Sequence, residues 1–350
     1  MNSSFFTTGV AILFLFLMCS NGATQVIFQD NFDSSANWTV TQPTGSSVSC
    51  SNSSCGVPGG WTGYYNGACL CDGVSGEPGN NLLYINQYAG YPNETNACRG
   101  GSGKCLNIWQ ESCISGFDNS DAQMTFDSGT EYEELYLRFY IRFKSGWELK
   151  PLVGEDGFAM KLYHIQHYSS GSPHAYFGAN PGNQPVSSGG LNQYSTSIQF
   201  YSENRCQTNY YCHAITLWTL GSTTWGYAAG GIFDGNWHSI ELRIKRNSSI
   251  GVSDGILELW FDGVKKNYIS GYQGNDIPYN DSGSSELRGW RYVMLGGNSY
   301  NQWDTSCSNM ADCEQWYAID DVVISTTYIG PGTPVDNSPQ APRGFSISQN

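Results

Sequence analysis

Hydrophobic and polar residues alternate most regularly in the stretch EELYLRFYIRFKSGW, which runs from Glu133 to Trp147. Leucine, phenylalanine and isoleucine occupy the odd positions from 135 to 143, whereas tyrosine, arginine and lysine occupy the even positions from 136 to 144. A period of two places these two sets on opposite faces of a β-strand. The sequence therefore predicts a strand whose odd face packs in a core and whose even face is a solvated back surface.

Further segments have the same texture and are separated by turns rich in Gly, Asn, Asp and Ser. They are VIFQDNF, STSIQFYSEN, WHSIELRIKR, GILELWFDGV, WRYVMLGG and AIDDVVIST. No segment shows the periodicity of an amphipathic helix. Many alternating strands without helices predict an all-β protein built as an antiparallel β-sandwich.

The domain boundaries follow from changes in composition. We predict one sandwich domain over residues 23–330. Within it, residues 50–113 are rich in Gly, Asn and Cys and show little periodicity, which predicts a loop-rich insertion held by disulfide bonds. Residues 331–350 are rich in Pro and Ser and are predicted to be a disordered tail.

The N-terminus predicts export from the cell. The apolar run from Val10 to Met18 is too short to span a bilayer and is followed by small residues. This pattern is typical of a signal peptide over residues 1–22, with cleavage after Gly22 or Ala23. No later stretch is long and apolar enough for a membrane helix, so we expect a secreted protein. Glycosylation sequons are compatible with secretion and occur at Asn37, Asn52, Asn93, Asn247 and Asn280.

The twelve cysteines also fit an oxidising compartment. We expect Cys206 to pair with Cys212, and Cys307 with Cys313, because each pair closes a short loop. Seven other cysteines lie between Cys50 and Cys113, an odd number that cannot pair completely within itself. Zinc binding is disfavoured because no CxxC spacing is present.

Composition and charge restrict the partners. Only 13% of residues are charged, and the net charge is −14. Such an acidic chain lacks the basic surface that binds nucleic acid, and a polyanionic substrate would need a locally basic site. We expect a monomer that binds neither nucleic acid nor a membrane.

Two regions resemble a known family. The segment FDGNWHSIELRIKRNSSIGVSDGILELWFDGVKK resembles a hairpin of the concanavalin A-like jelly rolls, and YAIDDVVIS resembles their closing strand, which pairs with the opening one. The segment ELYLRFYIRFKSGW followed by GFAMKLYHI is similar to strands of secreted polysaccharide lyases of the glucuronan and alginate lyase type. The resemblance implies a jelly-roll fold. It also implies a carbohydrate-active function, although lectins and glucanases share this fold.

The stretch KLYHIQHYSS, which begins at Lys161, combines several groups that can take part in catalysis. Alternation places Lys161, Tyr163 and His167 on an open face, with His164 and Gln166 at the edge of the core. A bulge near the middle of the strand would exchange the two faces. A metal site at His164 and His167 is disfavoured because their spacing puts them on opposite faces.

A second polar strand, STSIQFYSEN, presents Ser197, Gln199 and Tyr201 on one face. If both strands lie in the concave sheet of the jelly roll, their polar faces line one groove. The resemblance then implies roles for a lysine on one strand, here Lys161, and for a polar strand, here Ser197 to Gln199.

This set of residues suits β-elimination of a uronic acid, which needs a partner for the carboxylate, a base and an acid. Lys161, Arg142 or Gln199 are candidates for the carboxylate. His167 or His164 are candidates for the base, because imidazole titrates near neutral pH. Tyr201 or Tyr163 is the candidate acid, and Tyr163, Gln166 and Ser197 are candidates for further substrate contacts. Hydrolysis ranks lower because no strand carries closely spaced acids.

The resulting hypothesis is a secreted polysaccharide lyase that acts on an acidic glycan; the alternative is a non-catalytic carbohydrate-binding or adhesion module. No cofactor is required for either. Related jelly rolls often carry a structural calcium ion, and Asp30 or Asp33 on the opening strand is expected near Asp320 and Asp321 on the closing one. Carboxylates in such a group suit a hard cation, although Asp320 and Asp321 could equally cap a turn.

Overall fold

The computed structural model describes residues 25–40, 48–50, 56–66, 83–90, 96–110, 122–145, 160–166, 174–180, 194–201, 213–220, 232–265, 286–297 and 315–332. Within these residues the backbone forms seventeen strands and one short 3-10 turn at Arg99–Gly101. Every strand pairing is antiparallel. The all-β, antiparallel architecture predicted from the sequence is therefore confirmed.

The strands form two sheets. The nine-stranded sheet contains Val26–Asp30 (β1), Trp38–Thr39 (β2), Leu83–Asn86 (β5), Cys105–Gln110 (β6), Glu134–Phe143 (β8), His238–Lys245 (β13), Ile256–Phe261 (β14), Val264–Lys265 (β15) and Gln315–Ser325 (β17). Its order is β15-β14-β13-β8-β17-β6-β5-β2, and β1 also pairs with β17.

The eight-stranded sheet contains Val48–Cys50 (β3), Gly63–Asn66 (β4), Ala122–Tyr132 (β7), Met160–Gln166 (β9), His174–Asn180 (β10), Tyr194–Tyr201 (β11), His213–Leu220 (β12) and Trp290–Gly297 (β16). Its order is β12-β11-β10-β9-β16-β7-β4-β3. The two strands that were expected to line one groove, β9 and β11, thus belong to the same sheet, with β10 between them.

The core lies between the two sheets. The odd residues of β8, from Leu135 to Phe143, are buried in it, as their alternation predicted. The facing sheet contributes Tyr163 of β9, whose ring centroid lies 6.2 Å from that of Phe139. Packing of this kind supplies most of the stability of a sandwich, because it removes apolar surface from water.

The opening strand β1 pairs with the closing strand β17, with Asp30 opposite Val322. This confirms the pairing that the jelly-roll resemblance implied. Between Asp320 and Val323 the register of β17 against β8 shifts, and Asp321 has a φ of 47°. A bulge with a residue in the left-handed region locally interrupts the alternation, which is how Asp320 and Asp321 are both buried although they are neighbours.

The segment 50–113, predicted as a loop-rich insertion, contributes strands to both sheets. It contains β4, β5 and β6 and the last residue of β3, and Leu83, Ile85 and Ile108 are fully buried. The strands are short and interrupted by Asn and Cys, so their periodicity is not visible in the sequence. A disulfide joins Cys98 to Cys105. The four cysteines of the bridges predicted at 206–212 and 307–313 lie outside the described residues, and those bridges stay predictions.

The even face of β8 is not a solvated back surface, and residues 326–332 cover the part of it around Arg138. Arg138 is fully buried and donates to the carbonyl oxygen of Gly330 at 2.9 Å. The Glu241 carboxylate on β13 accepts hydrogen bonds from the backbone N–H groups of Ile329 and Gly330 at 2.7 and 2.9 Å. The predicted tail from 331 therefore begins in contact with the sheet, and residues 333–350 lie outside the described part. No helix in that part is long and apolar enough to cross a membrane.

Candidate functional site

The outer face of the eight-stranded sheet carries the polar residues of β9. Tyr163 and Ile165 are fully buried in the core, so His164 and Gln166, which alternate with them, lie on the opposite face. Met294 pairs with His164 on the neighbouring strand β16, where Val293 and Leu295 occupy the core. The structure therefore brings His164 and Gln166 to the outer face.

A bulge in β9 explains why the alternation of polar and apolar residues predicted the opposite faces for these side chains. Tyr163 pairs with Phe177 of β10, but the next residue, Gly178, pairs with Lys161, so Leu162 is an extra residue. One extra residue reverses the alternation on one side of the bulge. The open-face position predicted for Tyr163 is wrong for this reason, and so is the core-edge position of His164 and Gln166. The backbone position of Lys161 falls in a row of the outer face.

The side chains of His164 and Gln166 are neighbours. Gln166 Nε2 lies 3.4 Å from His164 Nδ1, and Gln166 and His164 are only 7% and 9% exposed. The Gln166 Oε1 atom accepts no hydrogen bond within the part of the chain that the structure describes. A buried polar atom in this situation usually has water or a ligand as its partner, which makes this pair a candidate binding point.

The register extends this face across β10 and β11. Tyr176 pairs with both His164 and Gln199, and His174 pairs with both Gln166 and Tyr201. Ser197 pairs with Gly178, which pairs with Lys161. The register positions of the predicted groove residues on β9 and β11 thus form three neighbouring rows. Their catalytic and binding roles stay predictions, and His167 lies outside the described residues.

A second group of residues on this face was not identified from the sequence. Asp127 of β7 pairs with Tyr292 of β16, which pairs with Gln166. Arg291 binds the Asp127 carboxylate with two contacts, Nε to Oδ1 at 2.6 Å and Nη2 to Oδ2 at 2.8 Å. The hydrogen bond from Arg291 lowers the pKa of Asp127. Burial and the negative charge of Asp127 raise the pKa of the Tyr292 phenol, so this phenol keeps its proton at neutral pH.

The signal for this group was present in the sequence. In AQMTFDSG, the residues Ala122, Met124 and Phe126 alternate with Gln123, Thr125 and Asp127. The first three pack in or against the core. In WRYVMLGG, Tyr292 alternates with the core residue Val293. Alternation therefore predicts the face of each residue, but it does not show that β7 and β16 are neighbours of β9.

Arg142, a predicted partner for a substrate carboxylate, lies in the other sheet. It is on β8, on the outer face of the nine-stranded sheet, where its Nε donates to the Gly235 carbonyl oxygen at 2.8 Å. A second contact joins its Nη2 to Asn96 Oδ1 at 3.4 Å. Stacked sheets lie about 10 Å apart with the core between them, so Arg142 cannot act at the face of His164. That prediction is wrong because alternation gives a face but not a sheet.

The predicted calcium ligands lie together near the 3-10 turn that carries Arg99. Asp320 accepts hydrogen bonds from the N–H groups of Arg99 and Asp321, at 3.2 and 2.8 Å. The guanidinium of Arg99 forms an ion pair with the Asp321 carboxylate. Asp33 accepts a hydrogen bond from the Lys104 N–H at 2.9 Å. Burial is the main cause that raises the pKa of Asp320 and of Asp321, and the charge of Asp33 adds a minor contribution to both.

Burial, with a smaller contribution from Asp321, raises the pKa of Asp320 to about 8. Among the described residues, no group of three or more His, Cys, Asp or Glu residues has an arrangement that could hold a metal ion. Each of the three carboxyl groups has a partner within the protein: backbone N–H groups donate to Asp320 and Asp33, and Arg99 pairs with Asp321. The sequence left two alternatives for Asp320 and Asp321, a calcium site with Asp33 or the cap of a turn, and chelation can distinguish them.

Comparison with known proteins finds solved structures that align with much of this chain. No protein-family model matches the chain, and no curated protein matches it. Alginate lyase Aly36B in complex with alginate trisaccharide aligns over 86% of this chain and 98% of its own, with 12% identity and a TM-score of 0.46. The endo-beta-1,4-glucuronan lyase from the fungus Trichoderma reesei aligns over 75% of this chain and 94% of its own, with 16% identity and a TM-score of 0.41.

A third structure, the alginate lyase from Aplysia kurodai, aligns over 65% of this chain and 85% of its own, with 13% identity and a TM-score of 0.39.

Proposed function

We propose that this protein is a secreted polysaccharide lyase that cleaves a uronic-acid-containing polymer by β-elimination, with His164 and Gln166 at the centre of its site. The observation that carries the proposal is the contact of these two side chains on the outer face of the eight-stranded sheet. An imidazole beside a carboxamide offers a base and a neutral hydrogen-bonding group at one place.

The reaction defines what each group would do. In a uronate, the proton on C5 is acidified by the neighbouring carboxylate, and it is further acidified when that carboxylate is bound by hydrogen-bond donors or a cation. The Gln166 carboxamide and the Lys161 ammonium are the proposed partners of the carboxylate. His164 is the proposed base that accepts the C5 proton. The electron pair of the C–H bond forms the C4–C5 double bond as the C4–O bond breaks.

The leaving oxygen must gain a proton as this bond breaks. Tyr201 is the proposed acid, because its register position pairs with His174, which pairs with Gln166. A phenol can donate a proton to a leaving alkoxide, and base and acid on opposite sides of the broken bond balance the protons of the reaction. Ser197 and Gln199, in the neighbouring rows, are proposed contacts to the sugar hydroxyls.

Two further features support an extracellular carbohydrate-active role. The Cys98–Cys105 disulfide is of the kind that persists in an oxidising compartment. With Arg142 in the other sheet, Lys161 is the remaining proposed cation for the substrate carboxylate, as the need for a locally basic site in a chain of net charge −14 requires.

The direct test is incubation of the purified protein with a panel of uronic-acid polymers while the absorbance of the new unsaturated bond is recorded. We expect absorbance to rise with at least one polymer and not with neutral glucans. If no polymer in the panel is cleaved but affinity electrophoresis shows retardation, the protein binds carbohydrate without catalysis.

The aromatic residue Tyr292 on the same face supports this second candidate function, because phenol rings stack on sugar rings.

A further inference from the structure

Asp127, Arg291 and Tyr292 form a group beside the proposed catalytic pair, and the β-elimination steps do not use them. Asp127, Tyr292 and Gln166 pair in register on three adjacent strands. Adjacent strands lie about 4.8 Å apart, so along this row Tyr292 is one strand spacing and Asp127 two strand spacings from Gln166. A polymer bound across these strands would place the ring next to the cleaved one against this group.

The charges of this group cancel one another. The two contacts between Arg291 and Asp127, at 2.6 and 2.8 Å, form a fork-to-fork ion pair. The pair is therefore neutral overall and offers no unpaired cation to a substrate carboxylate. The guanidinium carries five N–H groups, and those not directed at Asp127 can donate to hydroxyl groups. The side chains of Arg291 and Asp127 are 35% and 25% exposed.

The group is also held in place before any ligand binds. The Gly129 N–H donates to Asp127 Oδ1 at 2.8 Å, and the Asp127 N–H donates to Thr62 Oγ1 at 2.8 Å. Gly129 has a φ of 71°, a conformation that glycine adopts without strain. The guanidinium carbon of Arg291 lies 5.0 Å from the centroid of the Tyr292 ring. Fixed donors, a fixed acceptor and an aromatic ring are what a sugar subsite requires.

We infer that Asp127, Arg291 and Tyr292 form a subsite for an uncharged sugar ring, which makes this protein selective for polymers in which a neutral sugar neighbours the uronate. This inference rests on the proposed function for the position of the cleaved ring. The Tyr292 ring stacks on the apolar face of the neutral sugar, and the ion pair binds its hydroxyl groups. A uronate at the same position would lose hydration of its carboxylate without gaining a cation, because Arg291 is already paired with Asp127.

The experiment compares binding of two probes by affinity electrophoresis and calorimetry. One is polyglucuronate, in which every ring is charged; the other is gellan, in which neutral sugars flank each glucuronate. We expect the wild type to prefer gellan. Asp127→Asn should raise the affinity for polyglucuronate relative to gellan about tenfold, because it leaves the positive charge of Arg291 without its partner and available to a uronate carboxylate. Arg291→Gln should change the preference in the opposite direction. Tyr292→Ala should lower the affinity for both probes, whereas Tyr292→Phe should keep most of the affinity because its ring can still stack on a sugar.

Arg288→Gln is the matched control, because Arg288 pairs with Glu131 at 3.0 Å with similar exposure. It should leave the preference unchanged. An equal response of the two probes to Asp127→Asn, or the same response in the control, would overturn the inference. If Asp127→Asn does not fold, Arg291→Lys, which retains the charge but not the two-point contact, provides the comparison. Because the readout is binding, failure of catalysis would count against the proposed function and not against the subsite.

Discussion

The Tyr163 ring meets the Phe139 ring edge to face across the sandwich, with 6.2 Å between their centroids. This contact fixes the orientation of β9. Because Tyr163 is held in the core, His164 must lie on the outer face, and the bulge at Leu162 brings the position of Lys161 to that face as well. The same contact therefore removes Tyr163 from the candidate site and makes His164 its centre.

This arrangement predicts different results for two neighbouring residues. We expect His164→Ala to reduce turnover of the polymer about 10²-fold or more, the usual contribution of a positioned base. We expect Tyr163→Ala to lower the free energy of unfolding by about 3–5 kcal/mol, as truncation of a large core side chain does. Steady-state kinetics and denaturant unfolding of both variants measure these effects.

Tyr163→Phe is the control for the second effect, because it keeps the ring in the core and removes only the hydroxyl group. It should retain turnover. A Tyr163→Phe variant that folds but has lost its activity would show that the phenol acts in catalysis and that Tyr163 faces the site instead of the core.

Sequence pattern predicted most of the nine-stranded sheet and less of the site. Alternation in β8 identified the buried face from Leu135 to Phe143 because it continues over ten residues without interruption. It failed in β9 because a single extra residue, Leu162, has no signature of its own. It also failed for Arg142, since the face of a strand says nothing about which sheet contains it.

The other features that the sequence did not predict depend on contacts between residues that are far apart in the chain. Asp127 and Tyr292 are far apart in the sequence, and only the fold makes them neighbours of Gln166. Leu83 and Ile85 lie in a strand of four residues, which is too short for its period to be distinguished from chance. The burial of Arg138 depends on residues 326–332, which cover it from the end of the described chain.

The contact between Glu241 and residues 329–330 gives a second prediction. Glu241→Ala should lower the free energy of unfolding. A single hydrogen bond to a charged group contributes about 1.5–3 kcal/mol, and we expect a loss of at least this size. Two such bonds would be lost, and the segment that covers Arg138 would be released. Glu133→Ala is the comparison, because the Glu133 side chain is 71% exposed in its pair with Arg246, and such pairs contribute less than about 1 kcal/mol. Equal losses in urea unfolding of the two variants would contradict this prediction.

The buried Asp320 predicts how stability depends on pH. Its pKa rises from 3.8 to about 8, mainly through burial. The folded state therefore holds a proton that the unfolded state has released. Its contribution to stability is complete below about pH 4 and is lost as the pH rises through about 8. The pKa of Asp30, raised by burial to about 6, has the same effect at lower pH. We expect the free energy of unfolding to fall between about pH 6 and pH 8 for this reason.

Asp320→Asn tests this assignment, because the carboxamide cannot titrate. The variant should be less stable at low pH, since one backbone N–H loses its acceptor, but its stability should change less between about pH 6 and pH 8. His238, whose pKa is raised by Asp262 and Asp234 against the opposing effect of burial, contributes in the same direction, so part of the slope should remain. An unchanged slope in Asp320→Asn would show that Asp320 is ionised in the folded protein throughout this range.

The last prediction concerns the cation that accompanies Asp320 and Asp321. Arg99 pairs with Asp321, and its guanidinium carbon lies 3.6 Å from the centroid of the Tyr140 ring. We expect chelation with EDTA to leave the thermal midpoint unchanged, because Arg99 supplies the charge that a calcium ion would supply. Arg99→Met keeps an unbranched side chain against Tyr140 but removes the charge, so it should lower the midpoint because the buried Asp321 carboxylate loses its cation. Arg246→Met, which breaks the exposed pair with Glu133, should have little effect. A lower midpoint of the wild type in EDTA, restored by added calcium, would instead establish an ion bound by Asp33, Asp320 and Asp321.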